Sequence, residues 1–255
     1  VKIPAQFDGL KVVLVEPRNP LNIGAAARAM SNFGFLRLRV VQPYEAGYRE
    51  ARSAVGASAV LKDAEEFSSV AEAIADCRLV VGTTAVGERD LRHPVKALPE
   101  AGRLIHKSLN TGNVALLFGS ERVGLSNDSL SHCHWLLRIP TREEHRSMNL
   151  GQAVAVCMYE LGRDGKRKAP RGRVAKKALP PAQLQPATAA DVERITAMLV
   201  ETLHLCGYLT PRSGKVPQEK IRRLLRRHRL TANDADLWLS MLGQIAYKLR
   251  KTNAG

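Results

Sequence analysis

The stretch NVALLFGSE, Asn113 to Glu121, decides the fold. Val114 to Phe118 form an unbroken apolar run, too short for a helix and bounded by Asn113 and Gly119. Such a run predicts a strand buried on both faces. Four similar runs surround it: KVVLVEP (Lys11 to Pro17), LRLRVVQP (Leu36 to Pro43), CRLVVGTT (Cys77 to Thr84) and HWLLRIP (His134 to Pro140). Helical segments separate them. Asn22 to Phe33 reads as a helix with Gly34 at its C-terminal cap, and NLGQAVAVCMYEL (Asn149 to Leu161) as another. Strands alternating with helices predict an α/β fold, a mostly parallel sheet between helices. Ligands of such sheets bind beyond the carboxyl ends of the strands. Those ends carry Pro17-Arg18-Asn19, Thr83-Thr84, Gly119-Ser120-Glu121 and Ile139-Pro140.

The chain has 255 residues, 45% of them hydrophobic, and a formal net charge of +15. That length suits one domain with a smaller appendage and a real core. The positive excess points to a polyanionic partner. Nothing resembles a membrane span or a secretory leader, so a cytoplasmic protein is expected. The four cysteines, Cys77, Cys133, Cys157 and Cys206, form no CxxC pair. They read as reduced thiols. His132-Cys133-His134 lacks a second ligand pair, and no metal is expected there.

After Leu161 the composition changes. Arg163 to Lys177 holds eight Lys/Arg against one Asp, and 163–187 reads as a flexible basic linker. From 188 the pattern is helical again. Apolar stripes run through Val192, Ile195, Leu199 and Leu203, then Ile221, Leu224 and Leu225, then Leu237, Leu242, Ile245 and Leu249. The second stripe is flanked by Lys220, Arg222, Arg223, Arg226, Arg227 and Arg229. That density of charge suggests contact with RNA phosphates.

Familiar chemistries are excluded. No GxGxxG follows a strand, and no GxxxxGK[ST] loop exists. GSERVG is not a nucleophile elbow, because Arg122 stands where the second glycine would be. What remains is three polar, glycine-bearing segments: Asn19 to Arg28 (NPLNIGAAAR), Ala115 to Leu125 (ALLFGSERVGL), and Ile139-Pro140 followed by Ser147-Met148-Asn149-Leu150. Asn19 and Asn22 can fix a loop through side-chain hydrogen bonds. Arg28, on the first turns of a helix and amid alanines, can grip a phosphate. Gly119 allows close approach of a ligand, and Ser147 or Asn149 can cap the last helix. Arg142 to Arg146 suggests no simple role.

In this order and spacing the three segments resemble the motifs of the SpoU/TrmH branch of the SPOUT RNA methyltransferases, over roughly Val12 to Leu161. The helical tail, with LVETLHLCGYL and IRRLLRR, more loosely resembles the TrmJ-type tRNA methyltransferases within that branch. The resemblance implies a SPOUT fold with a deep C-terminal trefoil knot in a catalytic domain spanning 1–162, and a helical tRNA-binding module at 188–255. It implies S-adenosylmethionine as cofactor, held by Thr83, Thr84, Ala85, Gly119, Ile139, Ser147, Met148, Asn149 and Leu150. It implies a catalytic set of Arg28, Asn19, Glu121, Ser147 and Asn149, and a homodimer with its site completed at the subunit interface. The RNA contacts are expected at Arg28, Lys220, Arg222, Arg223, Arg226 and Arg227. The implied reaction is 2′-O-methylation of a pyrimidine ribose in tRNA, at nucleotide 32, the first of the anticodon loop. A ribosomal RNA target, or a catalytically silent RNA-binding homologue, is the alternative.

Overall fold

Short apolar runs alternating with capped helices build one parallel sheet. The computed structural model describes residues 7–44, 46–54, 56–85, 93–167, 184–210, 214 and 216–253. Seven strands are β1 (Leu10–Val15), β2 (Leu38–Val41), β3 (Glu65–Phe67), β4 (Cys77–Thr83), β5 (Val95–Ala97), β6 (Asn113–Phe118) and β7 (Trp135–Arg138). Their order is β3-β2-β1-β6-β4-β7-β5, and every strand pairing is parallel. The five expected strands are all present. The short edge strands β3 and β5 add to them.

The period of two sorts each strand between two cores. Val12 and Leu14 of β1 join Leu116 and Phe118 of β6 in one cluster, while Val13, Val15, Ala115 and Leu117 face the other. The first cluster is covered by α1 (Pro20–Phe33), α4 (Leu98–Leu109) and α6 (Leu150–Arg167). The second is covered by α3 (Val70–Ala73), α5 (Asn127–Ser131) and the start of α7 (Ala189–Leu205). A further short helix, α2 (Ser58–Lys62), lies beside α1. Gly34, at φ 83°, ends α1 as expected, its N–H bonded to Met30 and Ser31 carbonyls. The helix begins at Pro20, so Arg28 lies in its middle and not in its first turns.

α1 packs along α6, and the contact is close because Gly151 faces Ala25. A Cβ on Gly151 would come within 2.7 Å of the Ala25 Cβ. Residues 163–167, expected in the linker, continue α6. Residues 168–183 of that linker lie outside the described residues, and 184–187 lead into α7.

The tail forms α7, α8 (Val216–His228) and α9 (Ala232–Asn253) around a small core of Val192, Ile195, Leu225 and Leu242. A capping box of Thr188 and Asp191 starts α7. The expected stripes are only partly buried: Leu224, Leu237 and Ile245 are exposed. These helices dock on the sheet domain. Ala190 N–H donates to the Ala75 carbonyl at 3.1 Å. Arg222 of α8 pairs with Glu193 of α7 at 2.8 Å and Asp128 of α5 at 3.2 Å, and donates to Ser131 Oγ at 2.7 Å.

Candidate active site

The loops after β1, β6, β4 and β7 meet above the carboxyl edge of the sheet, where its strand order reverses. Asn19 ends the β1 loop and caps α1, its Oδ1 accepting the Leu21 N–H at 2.9 Å. Pro20 at the first helical position has no N–H to leave unpaired. Glu121, in the β6 loop, reaches across to this cap. One carboxylate oxygen accepts the Arg18 N–H at 2.9 Å; the other accepts the Asn19 N–H at 3.2 Å and Asn22 Nδ2 at 2.9 Å. Burial by itself pushes the Glu121 carboxyl up, but these hydrogen bonds outweigh it and hold the group below its ordinary range.

Asn22 then extends the chain of contacts. Its Oδ1 accepts from Asn149 Nδ2 at 2.8 Å. Asn149 Oδ1 in turn accepts the Gly151 N–H at 2.9 Å and the Gln152 N–H at 3.4 Å, which caps α6. Asn149, and not Ser147, is therefore the cap. Asn22 joins its own segment to two others, at Glu121 and Asn149, that lie 99 and 127 residues further along the chain.

Beside this junction is a pocket of about 320 Å³. Thr83, Thr84, Ala85, Gly119, Ile139, Ser147, Met148 and Leu150 line it, eight of the nine residues expected around a cofactor. Asn149 does not, because its side chain is turned to the cap and to Asn22. Leu125, Leu137 and Arg146 also line the pocket, so the 142–146 segment reaches it through Arg146. Thr83 Oγ1 is committed to the Leu117 carbonyl at 2.9 Å, and Thr84 N–H to the Leu137 carbonyl at 2.9 Å, which ties the end of β4 to β6 and β7. Gly119 is required by packing: a Cβ there would overlap the backbone of Gly124 and Leu125. The volume lies within the roughly 300–1,000 Å³ of small-molecule sites, and the lining mixes apolar side chains with a few polar groups. Such a lining fits a ligand with a flat apolar ring and a polar, charged tail.

Residues 9–159 match the model of the SpoU rRNA Methylase family. The chain belongs to this family. It is an S-adenosylmethionine-dependent RNA methyltransferase. It is 33% identical over 240 residues to the tRNA (cytidine/uridine-2′-O-)-methyltransferase TrmJ of Pectobacterium atrosepticum, covering 94% of this chain and 97% of that protein. The TrmJ of Klebsiella pneumoniae is 35% identical over 252 residues, with 94% and 97% covered. Among solved structures, TrmJ from Z. mobilis ZM4 matches with a TM-score of 0.78 and 33% identity, over 92% of this chain and 98% of that one.

Not every residue expected in the SpoU site is brought to it. Arg28 is exposed on α1, does not line the pocket, and its side chain bonds to no other described residue. It lies six residues beyond Asn22, about 9 Å along the helix axis. On α8 the expected RNA contacts divide. Lys220 and Arg227 are exposed, and Arg223 is partly covered beside Glu219. Arg222 and Arg226 are corrected: both are buried, at 4% and 2% exposure. They lie one helical turn apart on the face that α8 turns to α5 and α7. Arg222 is held there by carboxylates, and Arg226 donates to the Ala189 carbonyl at 3.3 Å.

His132 is buried and His134 is partly buried. Burial, with Arg222 and Arg226 nearby, drives His132 down to about 2. Burial with Arg226 drives His134 down to about 3, and its Nδ1 accepts the Val80 N–H. Both imidazoles are neutral packing groups. Asn22 is the side chain that bridges Glu121 and Asn149. It was legible as a loop-fixing asparagine, but its two cross-segment bonds exist only in the folded chain. Among the described residues no helix is long and apolar enough to cross a membrane.

Proposed function

We propose that the chain transfers a methyl group to the ribose 2′-hydroxyl of a pyrimidine in tRNA, at nucleotide 32 of the anticodon loop, and acts as a homodimer. The observation that carries this reading is the Glu121–Asn22–Asn149 junction, which closes three separated segments around one glycine-walled pocket. Similarity over nearly the full length of enzymes named for tRNA cytidine/uridine 2′-O-methylation supports the tRNA target. We also propose that the path from β6 to α6 is threaded as a deep trefoil knot. The central place of β6 between β1 and β4, and the return of α6 onto α1, are in keeping with that path. The division into a catalytic domain, a basic linker and a helical tRNA-binding module belongs to the same proposal.

The pocket residues align the methyl donor, and alignment is most of what this chemistry needs. Thr83, Thr84 and Ala85 after β4, Gly119 after β6, Ile139 after β7, and Ser147, Met148 and Leu150 before α6 would hold it. When bound, S-adenosylmethionine would supply an electrophilic sulfonium methyl for the 2′-oxygen. Glu121, Asn19 and Asn149 act by keeping the loops in register. A guanidinium such as that of Arg28 is an awkward base. The role of Arg28 is to orient the 2′-hydroxyl and the adjacent phosphate, with proton loss assisted by that phosphate or by a desolvated guanidine. Since Arg28 stands apart from the pocket of its own chain, a second copy would present it, and this supports the dimer.

Labelled methyl donor, total tRNA and mapping of the modified nucleotide test the reading. One methylated ribose at the start of the anticodon loop is expected. Methylation of ribosomal RNA alone, or donor binding without transfer, would overturn it. Arg28→Ala should cut the rate by about 100-fold or more, the order lost with one transition-state contact, while donor affinity holds. A near-normal rate in that variant refutes the role given to Arg28.

A further inference from the structure

Next to the pocket described above lies a second hollow of about 380 Å³. Glu16, Arg18, Gln42 and Tyr44 supply one side of it, from the carboxyl ends of β1 and β2. The other side is Ser120, Arg122 and Val123, which also line the first pocket. The two hollows therefore share one loop as a common wall.

The backbone around this second hollow is strained at two places. Glu16 and Gln42 have φ of 50° and 45°, in the left-handed region that non-glycine residues rarely enter. Both sit one residue past the end of a strand, and both keep a backbone bond to the next strand: Glu16 N–H to the Val41 carbonyl at 2.8 Å, Gln42 N–H to the Phe67 carbonyl at 3.2 Å. Strain of this kind gathers at binding and catalytic sites. The result is to swing the following loops together, where Tyr44 N–H bonds the Pro17 carbonyl at 3.1 Å.

Three kinds of group then face the hollow. Tyr44 is 71% exposed, so its ring offers a flat face to solvent. The Arg18 guanidinium lies over that ring, 4.8 Å from its centre, and the Arg18 N–H is held by Glu121 of the active-site junction. The Glu16 carboxylate makes no hydrogen bond or ion pair with another described residue. An aromatic face, a cation beside it, an unengaged acceptor and a second arginine at the rim form a set that suits a nucleotide. A bare phosphate is a poorer fit, because Glu16 would repel it.

We infer that this hollow receives the base of the nucleotide whose ribose is methylated, stacked on Tyr44 with an N–H edge turned to Glu16. The inference rests on the proposed 2′-O-methyl transfer and deepens it by naming the acceptor's subsite. Cytosine N4–H and uracil N3–H are both donors, so one carboxylate can serve either base. Arg18 and Arg122 stand where flanking phosphates would run.

The test is a cycle between protein and RNA. Tyr44→Ala and Tyr44→Phe are compared with the unaltered protein on two tRNA transcripts: one with its natural pyrimidine at the mapped acceptor nucleotide, one with an abasic ribose there. Tyr44→Ala should lower kcat/KM on the natural transcript by about tenfold or more, the scale of losing one base stack. Tyr44→Phe, which keeps the ring, should restore most of it, and calorimetric donor affinity should be the same in all three. On the abasic transcript the unaltered protein should fall to the level of Tyr44→Ala, and Tyr44→Ala should lose little more. Additive losses, or full activity of Tyr44→Ala on the natural transcript, overturn this subsite alone. If the unaltered protein methylates no RNA at all, the parent reading falls and this one falls with it.

Discussion

Replacing Asn22 by Asp alters one atom at the junction that joins the three segments, and the structure sets the size of the effect. Asn22 Nδ2 donates to Glu121 at 2.9 Å, while its Oδ1 accepts from Asn149 at 2.8 Å. Asn22→Ala removes both bonds. A hydrogen bond to a charged group contributes about 1.5–3 kcal/mol. Glu121 and Asn149 are exposed and water can replace their partners, so the loss should be about 1–2 kcal/mol.

Asn22→Asp keeps the bond from Asn149 but sets a carboxylate against the Glu121 carboxylate. Two unit charges 4 Å apart interact by about 1 kcal/mol in bulk water and about 4 kcal/mol at an effective dielectric of 20. The aspartate variant should therefore be less stable than the alanine variant by about 1–3 kcal/mol at pH 8.

The pH dependence follows from the two carboxyls. Glu121 in the natural chain titrates below its ordinary value of 4.5, so its stabilisation is present above that value and is lost only as pH falls through the depressed one. In the variant the paired carboxylates share a proton at a raised pKa, and their repulsion is relieved as pH falls through it. Lowering the pH from 8 to 5 should leave the natural junction intact and narrow the gap between the two variants. Guanidinium unfolding at both pH values measures this as midpoint shifts at constant slope. Equal midpoints for the two variants at pH 8, or a gap that ignores pH, would refute the geometry of the junction.

Gly119→Ala should abolish calorimetric binding of the methyl donor, because the new Cβ meets the Gly124 and Leu125 backbone and must reshape the loop between the two pockets. Arg226→Met should be neutral or stabilising by about 1–2 kcal/mol in urea, since an apolar side chain replaces a buried guanidinium whose Nε and Nη1 lack partners. The same variant should leave tRNA affinity unchanged in filter binding; a weakened complex would restore Arg226 as an RNA contact. Lys220→Ala with Arg227→Ala should weaken tRNA binding and reduce the slope of log affinity against log salt by about 0.7–0.9 for each phosphate contact removed. An unchanged slope counts against α8 as an RNA-facing helix.

Much of the sheet domain is legible in the amino-acid sequence. Short apolar runs ending in Pro, Gly or Thr-Thr mark β1, β2, β4, β6 and β7, because a strand buried on both faces must be apolar throughout. Gly34 and the Asn149 cap mark ends of α1 and α6. β3 and β5 escape notice because each is three residues long at a sheet edge, and Glu65 and Glu66 face water. The pocket lining is largely legible too, since glycine and small polar residues at strand ends are what a ligand approaching backbone requires.

The amino-acid sequence by itself determined the α/β class, the strand-end loops and the family, since these depend on local periodicity, caps and spacing along the chain. Only the tertiary structure decided direction. Helical periodicity placed Arg222 and Arg226 on one face of α8, but not which neighbour that face would meet. Folding turned it to Glu193, Asp128 and Ser131 and left Lys220 and Arg227 outside. Likewise Asn22 became the link between Glu121 and Asn149, 99 and 127 residues away, while Arg28, six residues further on, was carried out of the pocket. A side chain's neighbours across such distances are set by how the elements pack, and no local rule along the chain contains that information.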